Sequence, residues 1–143
     1  MYFKIILLAL FTVMIFSCSS EPFAKFANGY EINYDAGSYF ALMDTNSTIH
    51  ISRDIVKYGS NSDFIVAIQK PVYEIQDKLR EEYRPLKFDV KKTLVRQSKL
   101  YYYWIVEIHT DKVHGPMSLE EFAIKCKELG VPRDIKLIKL SDN

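Results

Sequence analysis

The sequence lacks an excess of charge of either sign. It contains 19 Lys and Arg residues against 18 Asp and Glu residues, so its formal net charge is only +1 at pH 7. Surfaces that bind nucleic acid, or that attract acidic partners over a distance, are strongly basic. A chain this close to neutral gives no electrostatic reason to expect such a surface, and we predict no nucleic-acid partner.

Cysteine is also scarce, since only Cys18 and Cys126 are present. Two cysteines provide no CxxC zinc site. If Cys18 is covalently modified, no disulfide remains within the folded domain. Cys126 falls on the apolar face of a predicted helix, where a cysteine is chiefly a small core residue. The alternative is a reactive or intermolecular thiol.

The common catalytic and metal-binding motifs are missing as well. The sequence has no HExxH, EF-hand or GxSxG motif and no glycine-rich phosphate loop. His109 and His114 flank one short turn near Glu107 and Asp111, but a transition-metal site needs three or four converging ligands. We therefore predict no cofactor, no metal and no enzymatic activity. The rival hypothesis is a cryptic extracytoplasmic hydrolase that uses His109 or His114.

The one long apolar run lies at the N-terminus. Residues 5–16 are apolar apart from Thr12, follow Lys4, and are too few to cross a bilayer as a helix. They end in Ser17-Cys18, which resembles the lipobox of bacterial lipoproteins. Residues 1–17 are therefore predicted to be a cleaved signal peptide and Cys18 the lipidated residue. The alternative is an ordinary signal peptide with an incidental cysteine.

This N-terminus predicts where in the cell the protein is located. A lipidated, palmitate-bearing Cys18 would anchor the protein in a membrane of the cell envelope, facing the periplasm or the exterior. Ser19 after the cysteine resembles outer-membrane sorting if the organism is Gram-negative. Residues 18–28 are predicted to be a mobile lipidated tether, and residues 29–143 a single domain. Removal of residues 1–17 leaves 143 − 17 = 126 residues, which is enough for one hydrophobic core.

The rest of the chain predicts an α+β fold. Aromatic residues make up 14% of the sequence, which argues against disorder. Apolar alternation and frequent turns predict an antiparallel sheet of five or six strands rather than βαβ units. The six main candidate strands are residues 30–35, 39–43, 48–52, 55–58, 64–69 and 101–109, with a turn at residues 36–38 and a bulge or bend at Arg53-Asp54. Shorter additions to the sheet would be a return strand after residue 109, an edge strand at residues 86–90 and a last strand at residues 134–140. A short helix with Ile75, Leu79 and Tyr83 on one face, ended by Pro85, completes the prediction.

One helix is predicted from several signals that agree. Ser118 and Glu121 have the spacing of a capping box, and Met117 and Phe122 that of a hydrophobic staple. Gly130 supplies the left-handed residue that ends such a helix. Its apolar stripe consists of Leu119, Phe122, Ala123, Cys126 and Leu129. We expect this C-terminal helix to pack across one face of the sheet.

The aromatic strand before this helix contains the candidate binding surface. Residues 101–104 read Tyr-Tyr-Tyr-Trp, which places two aromatic side chains on each face of one strand. One interpretation is core packing, with residues 72–99 covering the other face and Trp104 largely buried. The other is an exposed aromatic platform for a protein or peptide partner. Its residues would be Tyr101, Tyr103, Trp104, His109 and His114.

Several segments together resemble a known family. They are the lipobox, Asn28-Gly29-Tyr30, residues 64–69, residues 103–106 and residues 113–122. In this order they resemble small bacterial lipoproteins catalogued as a domain of unknown function (family 3997). The resemblance implies a fold and a cellular address but no catalytic residues.

A second resemblance is local. An aromatic strand, a turn, Gly115-Pro116 and a capped helix are similar in layout to GYF-type domains, which bind proline-rich peptides, although the Gly-Tyr-Phe signature is missing. The sequence thus predicts a membrane-anchored, non-enzymatic accessory or binding protein. A peptide-binding GYF-like adaptor is one alternative and the cryptic hydrolase is the other.

Overall fold

The computed structural model describes residues 22–35, 39–82 and 87–140. These residues form two antiparallel sheets, three α-helices and a short 3₁₀ helix at Ala27–Gly29, which confirms the predicted α+β class. The elements, in chain order, are β1 Ala24–Lys25, β2 Glu31–Asp35, β3 Tyr39–Met43, β4 Ile49–Ile51, β5 Ile55–Ser60, β6 Phe64–Gln69, α1 Val72–Glu82, α2 Phe88–Gln97, β7 Tyr102–Glu107, β8 Lys112–Met117, α3 Leu119–Leu129 and β9 Ile138–Lys139.

The strands are divided between two sheets where one sheet was expected. The first sheet has the order β1-β2-β3-β4 and the second has the order β8-β7-β6-β5-β9. The division falls between β4 and β5, where Arg53 (φ 21°) and Asp54 (φ 65°) both leave the extended region. The bend predicted at these two residues therefore turns the chain from one sheet into the other.

The main core lies between the two sheets. Strands of both sheets point one face of alternating apolar side chains toward it, and Ile32, Leu42, Ile65 and Val106 are fully buried there. Two hydrogen bonds join the connection between β1 and β2 to the turn between β7 and β8. Asn28 donates to the carbonyl of Ile108 (2.5 Å), and the Tyr30 hydroxyl donates to Asp111 (3.2 Å).

A smaller core covers the opposite face of the second sheet. Its buried members are Val66, Ile105, Met117 and Val131, and the partly buried side chains packed against them include Phe122, Cys126 and Leu129 from α3 and Ile135 from the C-terminal segment. The molecule thus has three layers: sheet, sheet and helix. The predicted packing of α3 on one face of a sheet is confirmed.

The segment between β6 and β7 contains two helices, α1 and α2. α1 confirms the short helix predicted around Ile75, which is 4% exposed. The edge strand predicted at residues 86–90 is wrong, because α2 begins at Phe88. The alternation of Leu86, Phe88 and Val90 is too short to distinguish a strand from the first turn of a helix. Tyr83 and Pro85, which also entered the prediction, lie outside the described residues.

The N-terminal boundary differs from the predicted one. Residues 18–28 were expected to be a mobile tether, but β1 pairs with β2 through Ala24 and Ile32. Phe26 packs edge-on against Tyr58, with ring centroids 5.7 Å apart. The Phe23 amide also donates to the Ile32 carbonyl (2.9 Å). Phenylalanine gains free energy from burial against the sheet, so residues 23–28 belong to the folded domain.

Some predictions fall on residues that the structure does not describe. Cys18, the signal peptide of residues 1–17 and the turn at residues 36–38 are among these, and they stay predictions. Within residues 22–35, 39–82 and 87–140, no helix is long and apolar enough to cross a membrane.

Candidate functional site

The two ends of α3 are fixed by local hydrogen bonds. Ser118 Oγ accepts from the Glu121 amide (3.2 Å), and Glu121 Oε2 accepts from the Ser118 amide (2.7 Å), which confirms the capping box. The backbone amide of Ser118 lowers the pKa of Glu121. At the other end, Gly130 has φ 70°, and the Val131 amide donates to the Cys126 carbonyl (2.9 Å). The chain therefore reverses beside the helix.

α3 covers its sheet only in part. The Phe122 ring lies 5.3 Å from the Tyr103 ring of β7, and this contact braces the N-terminal half of the helix. No residue of α3 is itself buried, however, and Leu119 is 62% exposed. The stripe predicted to face the core is therefore half-buried at Phe122 and Cys126 and open to solvent at Leu119.

An apolar groove runs between α3 and the segment that follows it. It has a volume of about 710 Å³. The groove is lined by Val66, Leu119, Phe122, Ala123, Cys126, Lys127, Gly130, Val131, Pro132, Arg133, Ile135 and Leu137. Val66 and Val131 are buried, whereas Leu119 and Leu137 are 62% and 45% exposed. The groove is thus an apolar depression that solvent reaches along its rim.

Two cationic side chains are the charged members of this lining. Neither Lys127 nor Arg133 forms an ion pair with a described residue, whereas Lys125 on the same helix pairs with Glu128 at 2.5 Å. Residues 125–139 contain five Lys and Arg residues against two Asp and Glu residues. The groove therefore has a positive rim on a chain that is otherwise close to neutral.

Cys126 belongs to this groove. It is a free, half-buried thiol, and burial raises its pKa. A thiol whose pKa is raised is a poor nucleophile near neutral pH. Its place on α3 agrees with the interpretation of Cys126 as a packing residue.

The aromatic residues of the predicted binding surface do not share one surface. Tyr103 packs against α3, while Trp104 points to the opposite face of β7, where its Nε1 donates to Gln69 Oε1 (2.9 Å). Tyr101 lies beneath Lys70, whose Nζ is 5.1 Å from the ring centroid. Tyr102 hydrogen-bonds to Glu74 of α1. All four aromatics are partly buried, so Trp104 is less buried than expected.

The two histidines of the predicted surface are also separated. His109 contacts Asp63 (3.0 Å), and His114 contacts Glu107 (2.7 Å) and so lowers the pKa of that carboxyl. Each histidine thus has its own carboxylate partner, and the two do not form a pair. Among the described residues, no three His, Cys, Asp or Glu side chains lie close enough together to hold a metal ion.

The sequence pattern indicated one wall of the groove and not the other. The apolar stripe of α3 was recognised but was interpreted as core. Ile135 and Leu137 were interpreted as inward-facing residues of a strand at residues 134–140, and Val131 was not singled out. One signal in the sequence could have predicted the groove. Two apolar segments follow one another on either side of Gly130, and Lys127 and Arg133 lie close to this turn.

Comparison with known proteins gives one match. The model of the family described as "Protein of unknown function (DUF3997)" matches residues 27–141, which cover β2 to β9, all three α-helices and the whole groove. No curated protein and no solved structure matches the chain.

Proposed function

The chain belongs to the DUF3997 family of proteins of unknown function, and on this premise we propose that it is a lipid-anchored, non-enzymatic binding protein of the cell envelope. Two features support the proposal. One is the lipobox-like Ser17-Cys18 at the end of an apolar leader. The other is the apolar groove beside α3, which is the observation that carries the binding function.

The anchor would hold the domain close to the membrane. Phe23, whose amide donates to the Ile32 carbonyl, lies five residues after Cys18. Five residues span at most about 18 Å even when fully extended. A domain attached in this way meets ligands that arrive at, or leave, the membrane surface.

The groove has the properties of a ligand site. Its volume of about 710 Å³ lies within the range of small-molecule sites, which are mostly apolar with a few placed polar groups. Exposed apolar side chains that form a contiguous patch commonly mark binding sites. Leu119 and Leu137 expose such area on opposite walls of the groove.

The anchor is tested by metabolic labelling with an alkyne analogue of palmitate. Wild-type chain should incorporate the label and sediment with membranes, and Cys18→Ala should do neither. Cys126→Ala is the matched control, because it removes the other cysteine and should leave labelling unchanged. Equal labelling of Cys18→Ala and wild type would refute the lipoprotein assignment.

The groove is tested with a neutral, photoactivatable alkyl probe applied to membranes that contain the full chain. Crosslinks, mapped by mass spectrometry, should fall on α3 and on residues 131–137. Ala123→Trp fills the groove and should remove these crosslinks. Ile124→Trp places the same side chain on an exposed position of the same helix outside the lining, and should retain them. Crosslinks that Ala123→Trp leaves unchanged would show that the groove is not a binding site.

A further inference from the structure

We propose that the groove binds one long-chain fatty-acid anion, with the acyl chain along its apolar floor and the carboxylate at Lys127 and Arg133. This inference rests on the proposed function, because it names the ligand class of the same site. It commits to the free fatty acid as the occupant, in preference to a peptide or the bilayer surface.

The floor of the groove suits a hydrocarbon chain. Apart from Lys127 and Arg133, its lining side chains are apolar, and they come from α3, from β6 and from residues 131–137. An acyl chain gains free energy from contact with such a surface without needing any hydrogen-bond partner. Leu119 and Leu137 are both exposed to solvent, on opposite walls of the groove. An acyl chain that lies between them would remove apolar surface of both side chains from water.

The same lining is unfavourable for a peptide. A bound peptide must satisfy its own backbone N–H and C=O groups, usually by adding to a free strand edge. The groove instead lies over a sheet face. Val66, on its floor, belongs to β6, which is already paired on both sides, by β5 and β7. An extended peptide would therefore bury unpaired backbone polar groups here, at a considerable cost in free energy.

The charge at the rim selects for an anionic head group. Lys127 lies in the last turn of α3, and Arg133 lies in the segment opposite. Both are free of ion pairs with described residues, so binding a carboxylate would not require breaking an existing pair. The acidic residues nearest in sequence are Glu128 and Asp134; Glu128 pairs with Lys125, and neither lines the groove.

The experiment uses Cys126 as a reporter of occupancy. The full chain is reconstituted into nanodiscs of zwitterionic phosphatidylcholine, and the rate of Cys126 alkylation by a maleimide is followed by peptide mass spectrometry. Palmitate is compared with hexadecanol, which has the same chain length and no charge. Palmitate should protect Cys126 at a concentration about tenfold lower, as expected for charge-assisted contacts.

Two double variants test the role of the rim. Lys127→Gln with Arg133→Gln should abolish the preference for palmitate over hexadecanol. Lys125→Gln with Lys139→Gln removes the same charge from side chains outside the lining, and should keep the preference. Loss of the preference only in the first variant supports the proposal. If the first variant keeps the preference for palmitate, or if both variants lose it, the proposal is overturned.

The remaining outcomes separate this inference from the proposed function. If hexadecanol and palmitate protect equally, the groove binds apolar chains without selecting the anion, so the inference fails and the binding function stands. If phosphatidylglycerol nanodiscs protect Cys126 without palmitate, the surface docks on anionic lipid head groups and the fatty-acid assignment is wrong. If neither ligand protects and the photoactivatable probe leaves no crosslinks on α3, both proposals fail.

Discussion

Gly115 lies directly against the indole ring of Trp104. A Cβ added at Gly115 would lie 2.6 Å from Trp104 Cε3 and 2.9 Å from the carbonyl oxygen of Tyr103. Gly115 also has φ 138°, a conformation that side chains rarely adopt. The residue sits where the register of β7 and β8 shifts, between the pairs Tyr103–Met117 and Ile105–His114. Close packing of β8 on β7 therefore depends on a glycine at this position.

Replacing Gly115 with alanine should destabilise the fold. We expect Gly115→Ala to lower the free energy of unfolding by about 2–4 kcal/mol, because overpacking and backbone strain add at one position. The measurement is denaturant unfolding of the full chain followed by the fluorescence of Trp104, the only tryptophan. Gly130→Ala is the control. Gly130 also has positive φ but no atom within 4 Å of an added Cβ, so it should cost only about 1–2 kcal/mol. Equal losses would contradict the packing argument.

Gln69 connects the bend between the sheets to Trp104. It is 7% exposed, donates to the carbonyls of Ser52 and Arg53, and accepts from Trp104 Nε1. Gln69→Leu leaves those three part-buried groups without this partner and should lower the free energy of unfolding by about 2–3 kcal/mol. Gln97→Leu, on an exposed position of α2, should change it by less than about 0.5 kcal/mol. A difference within experimental error between the two variants would mean that Gln69 has no special structural role.

The sequence predicted best where the signal was local. The capping box of Ser118 and Glu121 needs only four residues, and α3 begins where they place it. Strands β3 and β6 have the predicted bounds, because each is an apolar run closed by turn-forming or polar residues. For α2 the signal was weak. Charged residues such as Lys91 and Lys92 interrupt the apolar positions, and a short alternation looked like a strand.

The features that the sequence did not predict depend on tertiary structure. Two sheets form because the backbone turns at Arg53 and Asp54, and that turn is held by the distant Gln69. The groove depends on how far α3 extends over the sheet. The stripe on α3 shows which face is apolar, but it cannot show that Leu119 stays open to solvent. The aromatic residues of the candidate surface are divided between the two faces of β7, because successive strand residues such as Tyr103 and Trp104 point to opposite faces. Binding at either face stays a prediction.

Tyr30 should make the free energy of unfolding depend on pH in the alkaline range. Burial, followed by the nearby Asp111 carboxylate, raises its pKa from 10.0 to about 12. A raised folded-state pKa means that the native state holds the proton more tightly than the unfolded state. The protonated Tyr30 phenol therefore makes its full contribution to the free energy of unfolding below pH 10, and that contribution is lost as the pH rises toward 12. Between roughly pH 9 and pH 11 it should fall by about 1.4 kcal/mol.

Comparison with Tyr30→Phe isolates this effect from other groups that titrate at high pH. The free energy of unfolding of the Phe variant should decline less steeply with pH over that interval than that of wild type. Tyr34→Phe is the control, since Tyr34 lies four residues further along the chain, in β2, and is 48% exposed. It should keep the wild-type slope. Parallel curves for wild type and Tyr30→Phe would show that the Tyr30 phenol does not change its proton affinity on folding.

Tyr103 and Tyr101 distinguish the groove from the aromatic surface that the sequence suggested. Tyr103 braces Phe122 of α3, so Tyr103→Ala should lower the free energy of unfolding by about 2–4 kcal/mol. It should also weaken crosslinking of the alkyl probe in the groove, because Phe122 loses its support. Tyr101→Ala removes a partly buried ring that lies beneath Lys70 and should cost about 1 kcal/mol or less, with crosslinking unchanged.

The same pair of variants shows which surface binds. A groove that binds the ligand requires Tyr103 for structural support and has no need of Tyr101. An aromatic platform would require both rings for contact with the partner, and Tyr101→Ala would then abolish binding while leaving the unfolding curve nearly unchanged. His109→Ala with His114→Ala completes the comparison, because those side chains contact Asp63 and Glu107 and do not line the groove. If the histidine pair proves essential and Tyr103 dispensable, the site lies at the β7–β8 turn and the groove assignment is wrong.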